Sequence, residues 1–407
     1  MLGPAWNDCT PAARCAWIDQ LRGWAVLVMI EVHAVNVWLR QDLLPDWLNS
    51  ANGLVAPSFI LCAGFGLALS VFRADGSMSP LGPAARRLAV ILLWAYALHS
   101  PSLRLADWTV FGTREEFREL CQIDVLQCIV VSLLILQGLA RVLRRPMVFA
   151  AAALALAVGT ALAAPLLWQP GVADGWWLPI RGFINGNPDR GVASLFPLFP
   201  WFAFAAAGAV LGVFYRHFRA LSNNNAARWS ESGWLAALAV GGGLLWLWGW
   251  LHAQGALAAA AFPANAAASS SNTTLASVAE RLGWVCVIGA VLGWVERHRG
   301  RWPGPNVVQA VSRESLLVYV FHLCLIFGVL LAGPVRRFTG WEPHSLGWLG
   351  TLALTSVLIA INLMLAMVWQ RVRTRQVLVR QISKFALFAV LGWFAVLGCF
   401  LAAGWLR

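Results

Sequence analysis

Long apolar runs separated by short basic stretches recur along the whole chain. Runs of about twenty residues match the roughly 30 Å hydrocarbon thickness of a bilayer when helical. On that measure the pattern predicts eleven transmembrane helices, near 21–39, 53–72, 86–102, 123–140, 147–167, 195–215, 234–252, 278–296, 311–332, 346–369 and 385–406. Pro101 is placed to end the third. The first run, IDQLRGWAVLVMIEVHAVNVWL from Ile18 to Leu39, is the most informative because polar residues break it. It opens with Asp19 and Arg22 and holds Glu31 and His33 in its interior. An ionisable residue inside a span is costly and usually faces the bundle interior, so it is a functional candidate by default. Arg22 and His33 lie on one helical face, within about 20° of each other and roughly 16 Å apart along the axis.

A second imidazole, His322, sits in the ninth run within SLLVYVFHL, Ser315–Leu323. Helices one and nine should cross in the same direction, each with an Arg–carboxylate neighbourhood at its start: Asp19 with Arg22, and Glu314 with Arg313. Both imidazoles are therefore expected at similar depth, and they share one cavity if the two helices pack together. Imidazole suits proton abstraction because its ordinary pKa of about 6.5 leaves a neutral form at working pH. Alignment with Arg22 favours a functional His33, whereas for His322 a structural role stays equally open. Asn36, about 60° around the helix from His33, is a candidate oxyanion donor. Glu31 lies about 160° from His33 and is expected to make a structural contact with another helix. Toward the far side, Asp124 reads as a helix-start carboxylate, Asn52 as an N-cap, and His99 as interfacial.

Composition sharpens the class. The 407 residues are 59% hydrophobic and 12% charged, with a mean hydropathy of +0.68, which leaves an integral membrane protein as the comfortable reading. The net charge of +12 comes from Arg in short loops, where it sets topology and meets anionic lipid, so nucleic-acid binding is excluded. Of the 30 basic residues, 20 fall on the side of the N-terminus and alternate loops, which predicts a cytoplasmic N-terminus and an exterior C-terminus. The eight Cys form no C-x-x-C pair and read as small buried hydrophobes, and no metal site is expected. A polar N-terminus precedes a first run of spanning length, so that run should be a retained anchor. Exterior residues 168–194, with Trp176 and Trp177 among Pro, Gly, Asn and Asp, form either a sugar-facing lip or an interfacial aromatic belt. Residues 253–277 read as a low-complexity loop. GAVLG at Gly208–Gly212 and Gly289–Gly293 reads as two small-residue packing faces. No inverted repeat or paired broken helix is visible, and residues 1–407 read as one multi-pass domain.

Asp19-Gln-Leu-Arg22-Gly23 followed by His33 resembles the opening of transmembrane acyltransferases, and Arg22 to His33 resembles the R-x10-H arrangement of acyltransferase family 3. NGLVAPSFILCAG from Asn52 to Gly64, VLQ at Val125–Gln127, SLFPLFPWFAFAAAGAVLG from Ser194 to Gly212 and RESLLVYVFH from Arg313 to His322 resemble the heparan-α-glucosaminide N-acetyltransferase catalytic family and its bacterial relatives. The resemblance implies an acyl, often acetyl, group taken from cytoplasmic acyl-CoA and passed to a sugar amine or hydroxyl on the far side. On that reading His33 is the general base and Arg22 helps hold the donor's phosphates or the local helix contacts. His322 and Asn36 join His33 as catalytic candidates, Asp19, Arg313 and Gln127 join Arg22 as donor-binding candidates, and Asn52, Asp124, Trp176 and Trp177 are the acceptor-binding candidates. Two departures stand out. Lysosomal members have Asn at the position of His33 and a proposed catalytic His in the first exterior loop, whereas residues 40–51 here contain no His. Relatives also carry Arg after VLQ, where this chain has Cys128. The expected protein is a bacterial inner-membrane acyltransferase working on acyl-CoA and carbohydrate in the lipid bilayer, with a homodimer left open. The competing reading is a proton-coupled transporter or flippase using His33, Glu31 and His322.

Overall fold

The computed structural model describes residues 15–73, 77–99, 121–169, 171–173, 175–186, 194–224, 231–254, 274–299, 307–331 and 342–373. Among them the chain is helical with no named strand. The predicted first run forms α1, Ala16–Trp38. The second is split: a short α2, Asp46–Asn52, precedes α3, Val55–Val71, and the two together make one span. Then follow α4 (Leu81–Leu98), α5 (Val125–Leu143), α6 (Pro146–Leu167), the short α7 (Leu178–Ile184), α8 (Leu198–Asn224), α9 (Glu231–Ala253) and α10 (Leu275–Arg299). The described part ends with α11 (Val307–Arg313), α12 (Ser315–Leu323), a π-helical continuation over Cys324–Leu331, and α13 (Trp348–Arg373). Among the described residues, nine helical segments are long and apolar enough to cross a membrane, or ten if α11 and α12 form one bent span. The predicted eleventh helix, 385–406, lies outside the described residues.

The ninth predicted helix, 311–332, is not continuous. α11 and α12 meet at 84° across Glu314, whose φ of −110° and ψ of 28° are not helical. Apolar periodicity runs through the break unaltered, so the sequence conceals it. Tertiary contacts explain it: α11 is held across α1 and α13, where Arg22 Nε donates to Ser312 Oγ at 3.1 Å and Gln370 Nε2 donates to the Ala310 carbonyl at 3.0 Å. Gly23 makes the close approach possible, since a Cβ there would overlap the Val308 backbone.

Helix α1 packs against α2, α3, α10, α11, α12 and α13, which makes it the central element. Where water is absent, helices gain from close backbone approach at small residues. α3 and α8 cross in this way, with a Cβ on Gly64 or Gly208 colliding with the facing backbone of Ala205 or Leu61. The second GAVLG segment also packs, with Gly289 and Gly293 against Trp17 of α1. Beyond α1 the chain is tied to the start of α13: His344 N donates to the Val37 carbonyl, Leu346 N to that of Trp38, and Arg40 N to that of Leu346, at 2.9, 2.9 and 3.0 Å.

Candidate functional site

α1 and α12 bring the two imidazoles together. His322 Nε2 lies 3.2 Å from His33 Nδ1, and the ring centroids are 5.1 Å apart. His322 is fully buried and His33 partly so. Each Nδ1 also lies 2.9 Å from a carbonyl one turn earlier, Met29 for His33 and Val318 for His322. A carbonyl can only accept, so both Nδ1 atoms carry the proton in neutral rings. His322 Nε2 is then an acceptor for the His33 Nδ1–H, which is shared with Met29. This network assigns the tautomers and leaves the lone pair on His33 Nε2, for which no hydrogen-bond partner is described. Phe327 of the π-helical segment stands edge-on to His33 at 5.9 Å.

A polar group on α5 backs this pair. Tyr319 is edge-on to His322 at 5.6 Å, and its hydroxyl donates to Asp124 Oδ2 at 3.3 Å. Asp124 is the N-cap of α5: its Oδ1 accepts from Val125 N at 2.6 Å, and Gln127 Oε1 accepts from Asp124 N at 3.3 Å, completing a capping box. Gln127, fully buried, also directs Nε2 at the Ala95 carbonyl, 3.5 Å away. Both its polar atoms are thus taken up by the fold. Asn36 is exposed one turn beyond His33. Asn52 does not cap α3: it is the last residue of α2, Leu54 precedes α3, and the Asn52 side chain lies beside Glu31. Trp176 and Trp177 are exposed on the approach to α7, with no described contact to the histidines.

At the other end of α1, Arg22 Nη2 pairs with Asp19 Oδ1 at 2.7 Å while Nε reaches Ser312. Gln20 Nε2 donates to Glu296 Oε2 at 2.7 Å and joins α1 to α10. Arg313 is exposed and donates to neutral Gln309 Oε1 at 3.1 Å, whereas Glu314 is buried at the bend. Ser312, Tyr319 and Phe327 escaped the sequence reading. Tyr319 carried a usable signal, since it precedes His322 by three residues and so shares its side of a helix. Ser312 and Phe327 carried none, because the bend and the π-helical turns that place them leave no mark in the periodicity. Among the described residues, no cluster of three His, Cys, Asp or Glu side chains is arranged to hold a metal ion.

The family described as heparan-alpha-glucosaminide N-acetyltransferase, catalytic, matches residues 14–251, more than half of the chain, including α1 with His33 and α5 with its cap. α12 with His322 lies beyond the matched region. No curated protein matches the chain.

Proposed function

Because the chain belongs to the heparan-alpha-glucosaminide N-acetyltransferase catalytic family, we propose that it carries an acetyl group from acetyl-CoA at the Arg22 end of the bundle to a carbohydrate amine or hydroxyl arriving from the opposite face. The family and the helices make the chain a multi-pass transmembrane acetyltransferase. The single observation that carries the proposal is His33, whose Nδ1–H is anchored on His322 and Met29 while Nε2 keeps its lone pair.

Acetyl-CoA, as substrate, supplies an activated thioester carbonyl. His33 Nε2 takes the proton of the acceptor N–H or O–H as that atom bonds to the carbonyl carbon. Asn36 is assigned to the developing oxyanion. The carbon–sulfur bond then breaks, and the His33 imidazolium returns its proton to the thiolate, giving CoA and the acetylated carbohydrate. A covalent acetyl-His33 stage remains an alternative order of the same bond changes. His322 fixes the tautomer of His33 by accepting from Nδ1. Arg313, beside neutral Gln309, keeps its charge for the donor's phosphates. Arg22, neutralised by Asp19, acts chiefly by holding α11 on α1. Gln127 acts through the cap of Asp124. Asn52, Asp124, Trp176 and Trp177 are assigned to the acceptor side. Residues 1–407 are read as one unit in a bacterial inner membrane with its N-terminus in the cytoplasm.

Purified protein incubated with labelled acetyl-CoA and glucosamine tests this. CoA release with acetylation of the sugar is expected. Proton-coupled uptake of the sugar into vesicles without CoA turnover would replace the proposal with the transporter reading, which the broken α11–α12 span would then serve.

A further inference from the structure

Helix α13 is built unlike the other peripheral spans. Leu349, Leu352, Val357 and Met364 point outward, while the buried stripe carries three polar residues, Thr351, Thr355 and Asn362, alongside Leu358 and Ala366. Spacings of four and seven residues keep the three on one face. That face meets α1, α11 and α12, the elements carrying His33, Ser312 and His322.

Inter-helix polar residues in membranes normally bond each other or a local carbonyl. Thr351 does so, donating to the Gly347 carbonyl at 3.1 Å. Asn362 Nδ2 likewise donates to the Leu358 carbonyl at 2.9 Å, which fixes the amide so that Oδ1 points elsewhere as an acceptor. Among the described residues, neither Asn362 Oδ1 nor Thr355 Oγ1 has a partner, although both atoms are buried. A buried polar atom left without a partner costs free energy that packing does not return. Their levels are set by the tie between Leu346 and the end of α1. Measured from that tie along the two helices, Thr355 lies about 13 Å down α13 and His33 about 9 Å down α1, within about one turn of each other. Asn362 lies about 10 Å further toward the Arg22 end.

We infer that Thr355 and Asn362 are the hydrogen-bonding rail for the acyl-pantetheine arm of the donor, Thr355 donating to the thioester carbonyl near His33 and Asn362 accepting the amide N–H farther from the sulfur. This rests on the thioester donor proposed above. The spacing suits the arm: from the thioester carbon to that second amide nitrogen is eight bonds of extended chain, about 9 Å at the reach of an extended backbone. The arm offers carbonyl acceptors and N–H donors, the complements that the hydroxyl and Oδ1 lack.

The test compares two thioesters on purified protein: acetyl-CoA, which has both amides, and S-acetyl-N-acetylcysteamine, which has only the amide nearer the sulfur. Asn362→Leu should lower kcat/KM for acetyl-CoA about tenfold and leave the short thioester unchanged. Thr355→Val should lower it for both. Equal loss on both thioesters in Asn362→Leu, or no loss on either, overturns the rail. Should Asn362→Leu fail to insert, Asn362→Ser carries the same comparison. Wild-type protein that releases thiol from neither thioester sinks the acetyl-transfer reading itself, a result separate from failure of the rail. Because each substitution removes an orphan atom, the melting temperature without ligand should hold or rise. A fall in melting temperature together with equal losses on both donors marks a merely structural stripe.

Discussion

Helix α1 carries two polar groups on one face, and they are resolved in opposite ways. Near its start, Arg22 is held by Asp19 Oδ1 and Ser312 Oγ across the α1–α11 crossing, while Asp19 Oδ2 is buried with no partner among the described residues. About three turns further on, His33 is anchored through one nitrogen only, and its other nitrogen keeps a lone pair with no described partner. Residue types at helical spacing make the two groups look equally functional. Their hydrogen bonds separate them: the first stabilises a crossing, and the second leaves a base with capacity to react. The same distinction holds on α5 and α13, where Gln127 is fully occupied and Asn362 is not.

The comparison breaks first at His33. His33→Ala should lower acetyl transfer by about 10²–10⁴-fold, the usual worth of a general base, with the protein still inserted and monodisperse by size-exclusion chromatography in detergent. Retained activity would put His33 in the same class as Arg22. His322→Ala should cost less, about 10–100-fold, because the base remains but its tautomer is no longer held. His322→Gln, which keeps an acceptor for the Nδ1–H, should recover part of that loss in kcat, and a purely structural His322 would show no such rescue.

Effects at the other end should appear in stability. Arg22→Ala leaves Asp19 partly buried and unpaired, so unfolding should become easier by about 1–3 kcal/mol, read as a lower melting temperature. The double change Arg22→Ala with Asp19→Asn should regain most of it, and kcat should follow folded protein throughout. A selective rise in KM for acetyl-CoA without loss of stability would return Arg22 to donor binding. The smallest effect is expected at Gln127→Ala, which loses half of the capping box, about 1 kcal/mol, with activity near that of the parent protein.

Much of this was legible in the sequence, within limits that have physical causes. Hydropathy finds spans because a bilayer demands their length and composition, and the runs at 123–140, 147–167 and 234–252 return as α5, α6 and α9 with shifted ends. Common direction and depth put His33 and His322 at one level, but that α1 and α12 pack so that the rings meet is shown only by the structure. The bend at Glu314 did not, because it arises from contacts with α1 and α13 that lie far away in sequence. Asn52 was misread as a cap because Asn before an apolar run has that signature, whereas here Pro45 starts an additional short helix that Asn52 ends. Donor or acceptor capacity left over after folding cannot be read from residue types at all.

The account is tested most directly by transfer across a membrane. Proteoliposomes would hold acetyl-CoA inside with glucosamine outside, wild-type protein and His33→Ala being prepared in parallel. The account predicts acetylated sugar outside and free CoA inside in equal amounts for the wild type, and neither above background for His33→Ala. Equal product from both preparations would contradict it.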